Sequence, residues 1–168
     1  IYPRLRNWVN RTAPVELLDI GCGQGVCSDK IDLVGRHYTG LDLSPILVER
    51  AKELYSATNR KFLVGDACEL PFSDAAFDSA SSIALWHLLG QPERAATELS
   101  RVLKPGGHFL LVTANPGAYD AWKDRYTDAR MEGRRFEGTV GLEDGTSLRE
   151  VLYLHSFEEI VTARGSAG

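Results

Sequence analysis

The sequence predicts an α/β fold built on a doubly wound, mainly parallel sheet with helices on both faces. Three observations predict it. Apolar segments alternate with helical ones, the first apolar segment runs into a cluster of glycines, and an acidic residue stands at the end of each of the first three apolar segments. Right-handed crossovers place the loops after the strands along one edge of such a sheet, where ligands bind. We therefore expect the functional residues in those loops.

Five short apolar segments predict the strands of this sheet. The first, VELLDI, ends at glycines, as a buried parallel strand often does. The predicted strands span residues 15–20, 38–43, 61–65, 77–82 and 108–113.

Helix signals lie before and between these strands. The opening residues, IYPRLR, look like the middle of a helix. Ser44 at the N-cap and Pro45 at the first helical position predict a helix that runs to about Tyr55. The amphipathic stretch ERAATELSRVL, residues 93–103, predicts a helix after the fourth strand. Residues 104–107, Lys-Pro-Gly-Gly, predict the end of this helix, since glycines supply positive dihedral angles and proline blocks continuation.

The glycine cluster after the first strand predicts a ligand-binding loop. Gly21, Gly23 and Gly25 have the spacing GxGxG, which differs from the GxGxxG spacing of dinucleotide-binding loops. Asp19 stands at the entrance of the loop, where a carboxylate repels phosphate and suits a cationic or amino-bearing ligand. Glycines also end strands in ordinary turns, so the loop alone does not identify a ligand.

Two further acidic residues sharpen the prediction. Asp42 ends the second strand, where its carboxylate can accept hydrogen bonds from ribose hydroxyls. Asp66 follows the third strand, where it can accept from an exocyclic amine while the N–H of Ala67 donates to a ring nitrogen. Either residue alone would suit a turn or a helix cap. Acidic residues at the ends of three successive strands are much harder to explain by capping.

Five motifs in order make the sequence similar to a known family. Between residues 15 and 115 they read LLDIGCGQG, YTGLDLSP, VGDACELPFSDAAFD, SSIALWHL and LSRVLKPGGHFLLVT. The chain resembles the class I, Rossmann-like methyltransferases that depend on S-adenosylmethionine. The resemblance is strongest to the type 11, small-molecule group that includes the ubiquinone and menaquinone biosynthesis enzymes. It implies S-adenosylmethionine as cofactor and a small-molecule methyl acceptor.

The resemblance also implies roles for residues around the first two strands. Asp19 would organise the loop and hold the methionine ammonium, partly through water. The backbone at Gly21, Cys22 and Gly23 would contact the amino-acid part and the ribose. Asp42 would bind the ribose hydroxyls.

The remaining cofactor contacts that the resemblance implies follow strands two to four. Leu43 would lie against the adenine face, and Asp66 with Ala67 would read the adenine edge. Ser82 and Ile83 would lie beneath the sulfonium. The chain departs from the family pattern at two places, Gln24 between the second and third glycines and Ala84 after the fourth strand, where an acidic residue is common.

Methyl transfer from a sulfonium needs an in-line displacement, so catalysis can rest largely on positioning. If a general base takes part, His87 is the best candidate, about one turn beyond the fourth strand. A solvent-facing or hydrogen-bonded helix histidine is the alternative interpretation of His87. His37, His108 and His155 are weaker candidates because they flank predicted strands.

We expect a single domain over residues 1–168, with a cofactor-binding core at 1–113. Residues 114–148 carry aromatics among charged residues, which suits a substrate lid but equally an amphipathic helix packed on its own domain. Residues 149–168 predict a sixth strand at 149–155 and a helix at 157–163. The antiparallel seventh strand of this fold has no sequence left, so we expect a chain truncated at both ends or partly disordered.

Composition narrows the partners. The net charge is −4 and no basic stripe is present, which disfavours nucleic acid, as does Ser-Ser-Ile-Ala in place of an Asp/Asn-Pro-Pro-Tyr tetrad after the fourth strand. Three cysteines without CxxC spacing predict neither a metal site nor a disulfide framework, and favour a cytoplasmic setting. No apolar run is long enough to span a membrane.

Three other functions remain open at this point. One is a module that binds S-adenosylmethionine without turnover, and another is a methyltransferase that acts on RNA or protein. A nicotinamide-dependent oxidoreductase would fit the fold but neither the GxGxG spacing nor Asp19.

Overall fold

The computed structural model describes residues 1–113, 123–142 and 145–155, and these form two sheets. A five-stranded parallel sheet has the order β3-β2-β1-β4-β5, and a three-stranded antiparallel sheet has the order β6-β7-β8. The strands are β1 Glu16–Ile20, β2 His37–Asp42, β3 Arg60–Val64, β4 Phe77–Ile83, β5 Leu103–Val112, β6 Tyr126–Glu132, β7 Arg135–Gly141 and β8 Ser147–Tyr153. The helices are α1 Tyr2–Thr12, α2 Val26–Asp29, α3 Pro45–Tyr55 and α4 Pro92–Val102, with 3₁₀ helices at Trp86–Leu88 and Lys123–Arg125.

The parallel sheet confirms the predicted doubly wound fold. Strand order runs from β1 through β2 to β3 on one side and from β4 to β5 on the other, so the topological switch point lies between β1 and β4. The register pairs Ile20 with Leu41 and Asp42 with Val64. The carboxyl ends of β1, β2 and β3 therefore meet at one edge, which is where ligands bind in such sheets.

Alternate residues of each strand point to opposite faces of this sheet. Both faces carry apolar side chains, and helices cover both. Leu18 of β1 packs in a core cluster with Leu99 of α4. Its neighbour Leu17 belongs to a second cluster with Val9 of α1 and Val48 of α3. All five side chains are buried, and full burial of a leucine or valine contributes about 1.5–3 kcal/mol.

The first and third helices follow their sequence signals. Helix α3 begins at Pro45 after Ser44, whose Oγ accepts the N–H of Leu47 at 3.4 Å, and it ends at Tyr55 as predicted. The opening residues belong to α1, in agreement with their helical appearance in the sequence.

Residues 104–107 stop α4 as predicted, Gly106 has φ +77°, and the four residues form a bulge inside β5. Strand β5 begins at Leu103, which pairs with Phe77, and pairing resumes between Ser79 and His108, so four residues of β5 bulge opposite one residue of β4. A Cβ at Gly107 would lie 2.9 Å from the Lys104 carbonyl oxygen, which requires glycine there. Helix α4 still ends where the sequence predicts, because proline and glycine cannot continue it.

The carboxylate of Asp78 holds the amino-terminal edge of the sheet together. Its Oδ2 accepts the N–H groups of Val15 and Glu16 at 3.0 and 2.8 Å, and its Oδ1 accepts Lys104 Nζ at 2.7 Å. These bonds lower the pKa of Asp78 below its ordinary value, with Lys104 the largest cause. The beginnings of β1, β4 and β5 are thereby joined at one carboxylate.

The sixth strand predicted at 149–155 is wrong as a member of the parallel sheet. Residues 147–153 do form a strand, β8, but it pairs antiparallel with β7 in the separate sheet. Tight turns favour such local pairing: Gly133 and Gly145 both have positive φ, and the N–H of Leu142 donates to the Thr146 carbonyl at 2.8 Å. The helix predicted at 157–163 lies outside the described residues.

A small core of its own stabilises the antiparallel sheet. Phe136 pairs with Leu152 in register and both are buried, while the Tyr126 ring meets the Phe136 ring edge-on at 5.0 Å. The described part of the 114–148 segment is thus mainly strand, so the interpretation of it as an amphipathic helix is wrong there. Among the described residues, no helix is long and apolar enough to cross a membrane.

Candidate cofactor site

A cavity of about 460 Å³ opens at the carboxyl ends of β1, β2 and β3. Its volume falls within the range of small-molecule and cofactor sites. The lining is mostly apolar, with two carboxylates and one hydroxyl among leucines and glycines. The lining residues are Gly21, Leu41, Asp42, Leu43, Ser44, Leu47, Gly65, Asp66, Ala67, Leu85, Leu88 and Leu89.

The glycine loop folds over the end of β2 and contributes Gly21 to the cavity lining. The N–H groups of Gly21 and Cys22 both donate to the Leu41 carbonyl, at 2.8 and 3.0 Å. Gly25 has φ +82°, and a Cβ there would lie 2.8 Å from the Phe62 ring. Only glycine combines this backbone conformation with so close an approach, so the loop holds one tight conformation beneath the cavity.

Asp42 joins the glycine loop to the beginning of α3. Its Oδ2 accepts the N–H of Gly23 at 2.8 Å, and its Oδ1 accepts the N–H of Ser44 at 2.9 Å. A carboxylate offers about four lone-pair positions, so each oxygen can accept one more hydrogen bond. The side chain is therefore held in place at the cavity wall and still able to accept two hydroxyl donors.

Asp66 brings a second carboxylate to the same cavity from the end of β3. Its Oδ1 accepts the N–H of Cys68 at 2.8 Å, and its carbonyl accepts the N–H of Glu69 at 3.1 Å. The turn exposes the Asp66 side chain and buries the neighbouring Ala67. The structure thus brings Asp42 and Asp66 together, as the sequence predicts.

Asp19 differs from these two carboxylates because it lies under the loop. It is 1% exposed, and it accepts the Tyr38 hydroxyl at 2.5 Å and the Ser81 hydroxyl at 2.8 Å. Burial raises the pKa of Asp19 to about 6, against the lowering effect of these two hydroxyls. The expectation that the three carboxylates share one rim is therefore correct for two of them.

A family model described as a methyltransferase domain matches residues 18–111, more than half of the chain. The chain belongs to that methyltransferase family. This match confirms the resemblance to the class I methyltransferases, whose cofactor is S-adenosylmethionine.

Two curated relatives of this chain are named for their substrates. A fatty-acid O-methyltransferase of Mycolicibacterium smegmatis is 34% identical over 120 residues, which are 69% of this chain and 43% of the relative. A malonyl-[acyl-carrier protein] O-methyltransferase of Erwinia billingiae is 38% identical over 109 residues, 65% of this chain and 43% of the relative. The chain thus spans less than half the length of these two relatives.

A solved structure shows the same fold. SAM-bound CalS10, an amino pentose methyltransferase from Micromonospora echinaspora involved in calicheamicin biosynthesis, has a TM-score of 0.75 to this chain at 22% identity. The superposition covers 99% of this chain and 82% of CalS10. At this identity the likeness shows a shared fold.

Six predicted site residues do not line the cavity: Asp19, Cys22, Gly23, Ser82, Ile83 and His87. Asp19, Cys22 and Gly23 lie in or under the glycine loop, and the other three belong to β4 and the segment after it. Ser82 is fully buried, and its hydroxyl has no hydrogen-bond partner among the described residues. Ile83 packs against the core cluster on the α1 and α3 face. His87 sits in the 3₁₀ helix between two cavity leucines, with Nδ1 3.3 Å from Thr113 Oγ1. Burial lowers the pKa of His87 below its ordinary value.

Sequence reasoning missed the leucine wall of the cavity. Leu85, Leu88 and Leu89 line it from the segment after β4, and the chain reaches this position through Ala84, which has φ +60°. The available signal was the apolar run in SSIALWHLLG beyond the end of the strand. Among the described residues, no group of three or more His, Cys, Asp or Glu side chains could hold a metal ion.

Proposed function

We propose that the protein transfers the methyl group of S-adenosylmethionine to a small-molecule acceptor by in-line displacement. One observation carries the proposal: Asp42 at the end of β2 and Asp66 just after β3 line one cavity whose other lining residues are mostly leucines and glycines. Two carboxylates repel a phosphate-bearing cofactor, whereas they suit a ligand with ribose hydroxyls and an amine.

The residues present fit an adenosyl group. Asp42 would accept the two ribose hydroxyls with the lone pairs that its backbone partners leave, and Leu43 would cover one adenine face. Asp66 would accept from the adenine amine while the Ala67 N–H reads a ring nitrogen. Leu43 is 70% exposed at the cavity mouth, so an adenine ring lying on it would bury apolar surface.

The glycine loop would bind the cationic amino-acid part of S-adenosylmethionine, and Asp19 would not contact it directly. The Asp19 carboxylate has neutral hydroxyls as its hydrogen-bond partners, so its negative charge is uncompensated by them. In a buried setting such a charge acts over several ångströms. We propose that Asp19 attracts the ammonium and sulfonium through the loop, and that the backbone at Gly21, Cys22 and Gly23 makes the contacts.

Bound S-adenosylmethionine supplies a methyl group already activated by the sulfonium. The chain's own contribution is to align the acceptor and to exclude water, and the leucine wall serves the second purpose. His87 would accept the proton of the acceptor, since its lowered pKa keeps the imidazole neutral near pH 7. Ser82 and Ile83, at the end of β4, would support the segment that carries His87.

We propose an acyl compound or another apolar small molecule as the acceptor. Both curated relatives described above are named for acyl substrates, and the wall nearest His87 consists of Leu85, Leu88 and Leu89. The 114–148 segment would act as the lid. A net charge of −4 argues against nucleic acid, and three free cysteines suit a reducing, cytoplasmic location.

Isothermal titration calorimetry with S-adenosylhomocysteine and NAD tests the donor half of the proposal. We expect the first to bind and the second not to. Asp42→Ala should lower affinity at least roughly tenfold, because it removes two hydrogen bonds to a charged group. Asp32→Ala is the matched control: Asp32 also accepts an N–H two residues on, from Val34 at 3.0 Å, but it is not among the cavity residues.

Transfer itself is tested with a radiolabelled methyl donor and a panel of fatty acids, hydroxy acids and acyl thioesters. Label in an extractable product supports the proposal. Tight S-adenosylhomocysteine binding with label in no product would instead favour a module that binds the cofactor without turnover. Preferential binding of NAD would overturn the adenosyl sulfonium assignment.

A further inference from the structure

The antiparallel sheet contacts the leucine wall through the end of β8. His155 Nε2 lies 2.9 Å from the Leu89 carbonyl oxygen. The Tyr153 ring stacks on the His155 imidazole with centroids 6.1 Å apart, and a Cβ at Gly90 would lie 3.5 Å from the Tyr153 hydroxyl. The sheet therefore meets residues 86–90 through two neighbouring side chains.

The residue that His155 binds is itself part of the cavity. Leu89 lines the cavity next to Leu88, and its carbonyl is the hydrogen-bond acceptor. This segment is short, with one 3₁₀ turn at Trp86–Leu88 and two closing bonds, Leu88 N–H to Leu85 and Leu89 N–H to Trp86. So short a turn depends on outside contacts for a fixed position.

The chemistry of the His155 bond shows which ring nitrogen matters. A carbonyl only accepts, so Nε2 carries the hydrogen and Nδ1 of a neutral ring is an acceptor. His155 is 4% exposed, and Nδ1 has no hydrogen-bond partner among the described residues. A phenylalanine would fill this space and stack on Tyr153 without leaving a buried acceptor unpaired. The feature that an imidazole adds is therefore the Nε2 donor.

We propose that His155 is a positioning residue for the methyl-donor cavity. Its Nε2–H holds the Leu89 carbonyl, which fixes Leu88 and Leu89 as one wall and makes cofactor affinity depend on the antiparallel sheet. The inference rests on the proposed function because it concerns the same cavity. It adds that the sheet proposed to cover the acceptor also shapes the site of the donor.

Three variants of the full chain separate this role from general stability. A glutamine side chain can place an amide N–H where Nε2 lies, so His155→Gln should keep S-adenosylhomocysteine affinity within about twofold of wild type. His155→Phe keeps the stacking but has no donor, and should lose about tenfold in affinity. Phe136→Leu weakens the core of the same sheet away from Leu89, and should lower Tm with little change in affinity.

Calorimetry for affinity, thermal unfolding for Tm and amide exchange at residues 86–90 are measured for all three variants. Faster exchange at 86–90 in His155→Phe alone supports the proposal. Equal affinity of His155→Phe and wild type, equal losses in His155→Phe and His155→Gln, or an equal loss in Phe136→Leu would each overturn it. If His155→Phe does not fold, His155→Asn, whose amide stops short of Leu89, takes its place. Absence of S-adenosylhomocysteine binding by wild type would overturn the proposed function as well, whereas the other failures leave it intact.

Discussion

Tyr38 donates its phenolic hydrogen to Asp19 over 2.5 Å, joining β2 to β1 beneath the glycine loop. The carboxylate is buried, and the pKa of Asp19 is raised to about 6 with desolvation as the largest cause. Burial of this charge therefore opposes folding. The chain thus keeps an acid under its glycine loop at a cost in stability, which functional sites commonly show.

The unfavourable burial of the Asp19 carboxylate predicts how the stability of Asp19→Asn, relative to wild type, changes with pH. The folded pKa of about 6 lies above the unfolded value of about 3.8, so the native state binds more protons between these values. The contribution of the protonated Asp19 carboxyl to the free energy of unfolding is complete below the unfolded pKa and is lost as pH rises through 6. Relative to wild type, Asp19→Asn should gain about 1–3 kcal/mol in free energy of unfolding at pH 8, and much less at pH 4. Urea unfolding at both values measures it.

The same variant should bind S-adenosylhomocysteine more weakly, since the negative charge under the loop is gone. If Asp19→Asn instead loses unfolding free energy relative to wild type, by similar amounts at pH 8 and pH 4, then Asp19 is well stabilised as an anion. That result would contradict the effect expected from its burial.

The glycine loop predicts a contrast between two alanine variants. Gly25 and Gly35 both have positive φ, but a Cβ at Gly35 meets nothing within 4 Å, whereas one at Gly25 lies 2.8 Å from Phe62. Gly35→Ala should cost about 1–2 kcal/mol for its backbone alone. Gly25→Ala should cost more and weaken cofactor binding, because the loop must shift. If urea unfolding shows similar losses of stability for Gly25→Ala and Gly35→Ala, the Phe62 ring moves aside easily.

Asp66→Asn should change which base the cavity prefers. The amide can still accept the Cys68 N–H, but it presents a donor where the adenine amine needs an acceptor. We expect about tenfold weaker binding of S-adenosylhomocysteine and a smaller loss, or a gain, for the inosine analogue with a 6-oxo group. Calorimetry with both ligands measures the ratio, and Glu69→Gln, an exposed neighbour outside the cavity lining, serves as control. An unchanged ratio would remove Asp66 from the adenine edge.

The proposed role of His87 predicts how kcat/KM depends on pH, which can be measured once an acceptor is identified. Its lowered pKa means that kcat/KM should fall only on the acid side, below the ordinary histidine value of about 6.5. His87→Asn should abolish this limb and reduce kcat about a hundredfold if the imidazole acts as base. His108→Asn, at an exposed position on β5, should leave the profile unchanged. An unaltered profile in His87→Asn would show that transfer needs no base.

Local patterns predicted the parallel sheet well because each strand and cap has its own signal. Ser44 and Pro45 begin α3 as their chemistry requires, and Asp42 and Asp66 reach one cavity because parallel strands end at one edge. The burial of Asp19 could not be predicted, since it depends on hydroxyls that Tyr38 and Ser81 bring from other strands.

Local patterns predicted β8 as a strand but neither its antiparallel pairing nor the strands β6 and β7. Strand β6, YTDARME, is largely exposed and alternates poorly, and Asp128 adds a positive φ where its pairing with β7 shifts register. Its strands form because hairpin turns bring Phe136 against Leu152. That contact is visible only in the folded chain.

The two edges of the parallel sheet differ in whether their carboxylates form ion pairs. Asp78, at the amino-terminal edge, has its countercharge within the protein, whereas no Lys or Arg ion pair of Asp42 or Asp66 is found in the described part of the chain. Of these three carboxylates, the two at the carboxyl ends of the strands therefore keep their charge available to attract a cation. Because salt at 0.15 M screens charges beyond about 8 Å, capture of a cationic cofactor should slow as ionic strength rises, even where the equilibrium contacts stay the same.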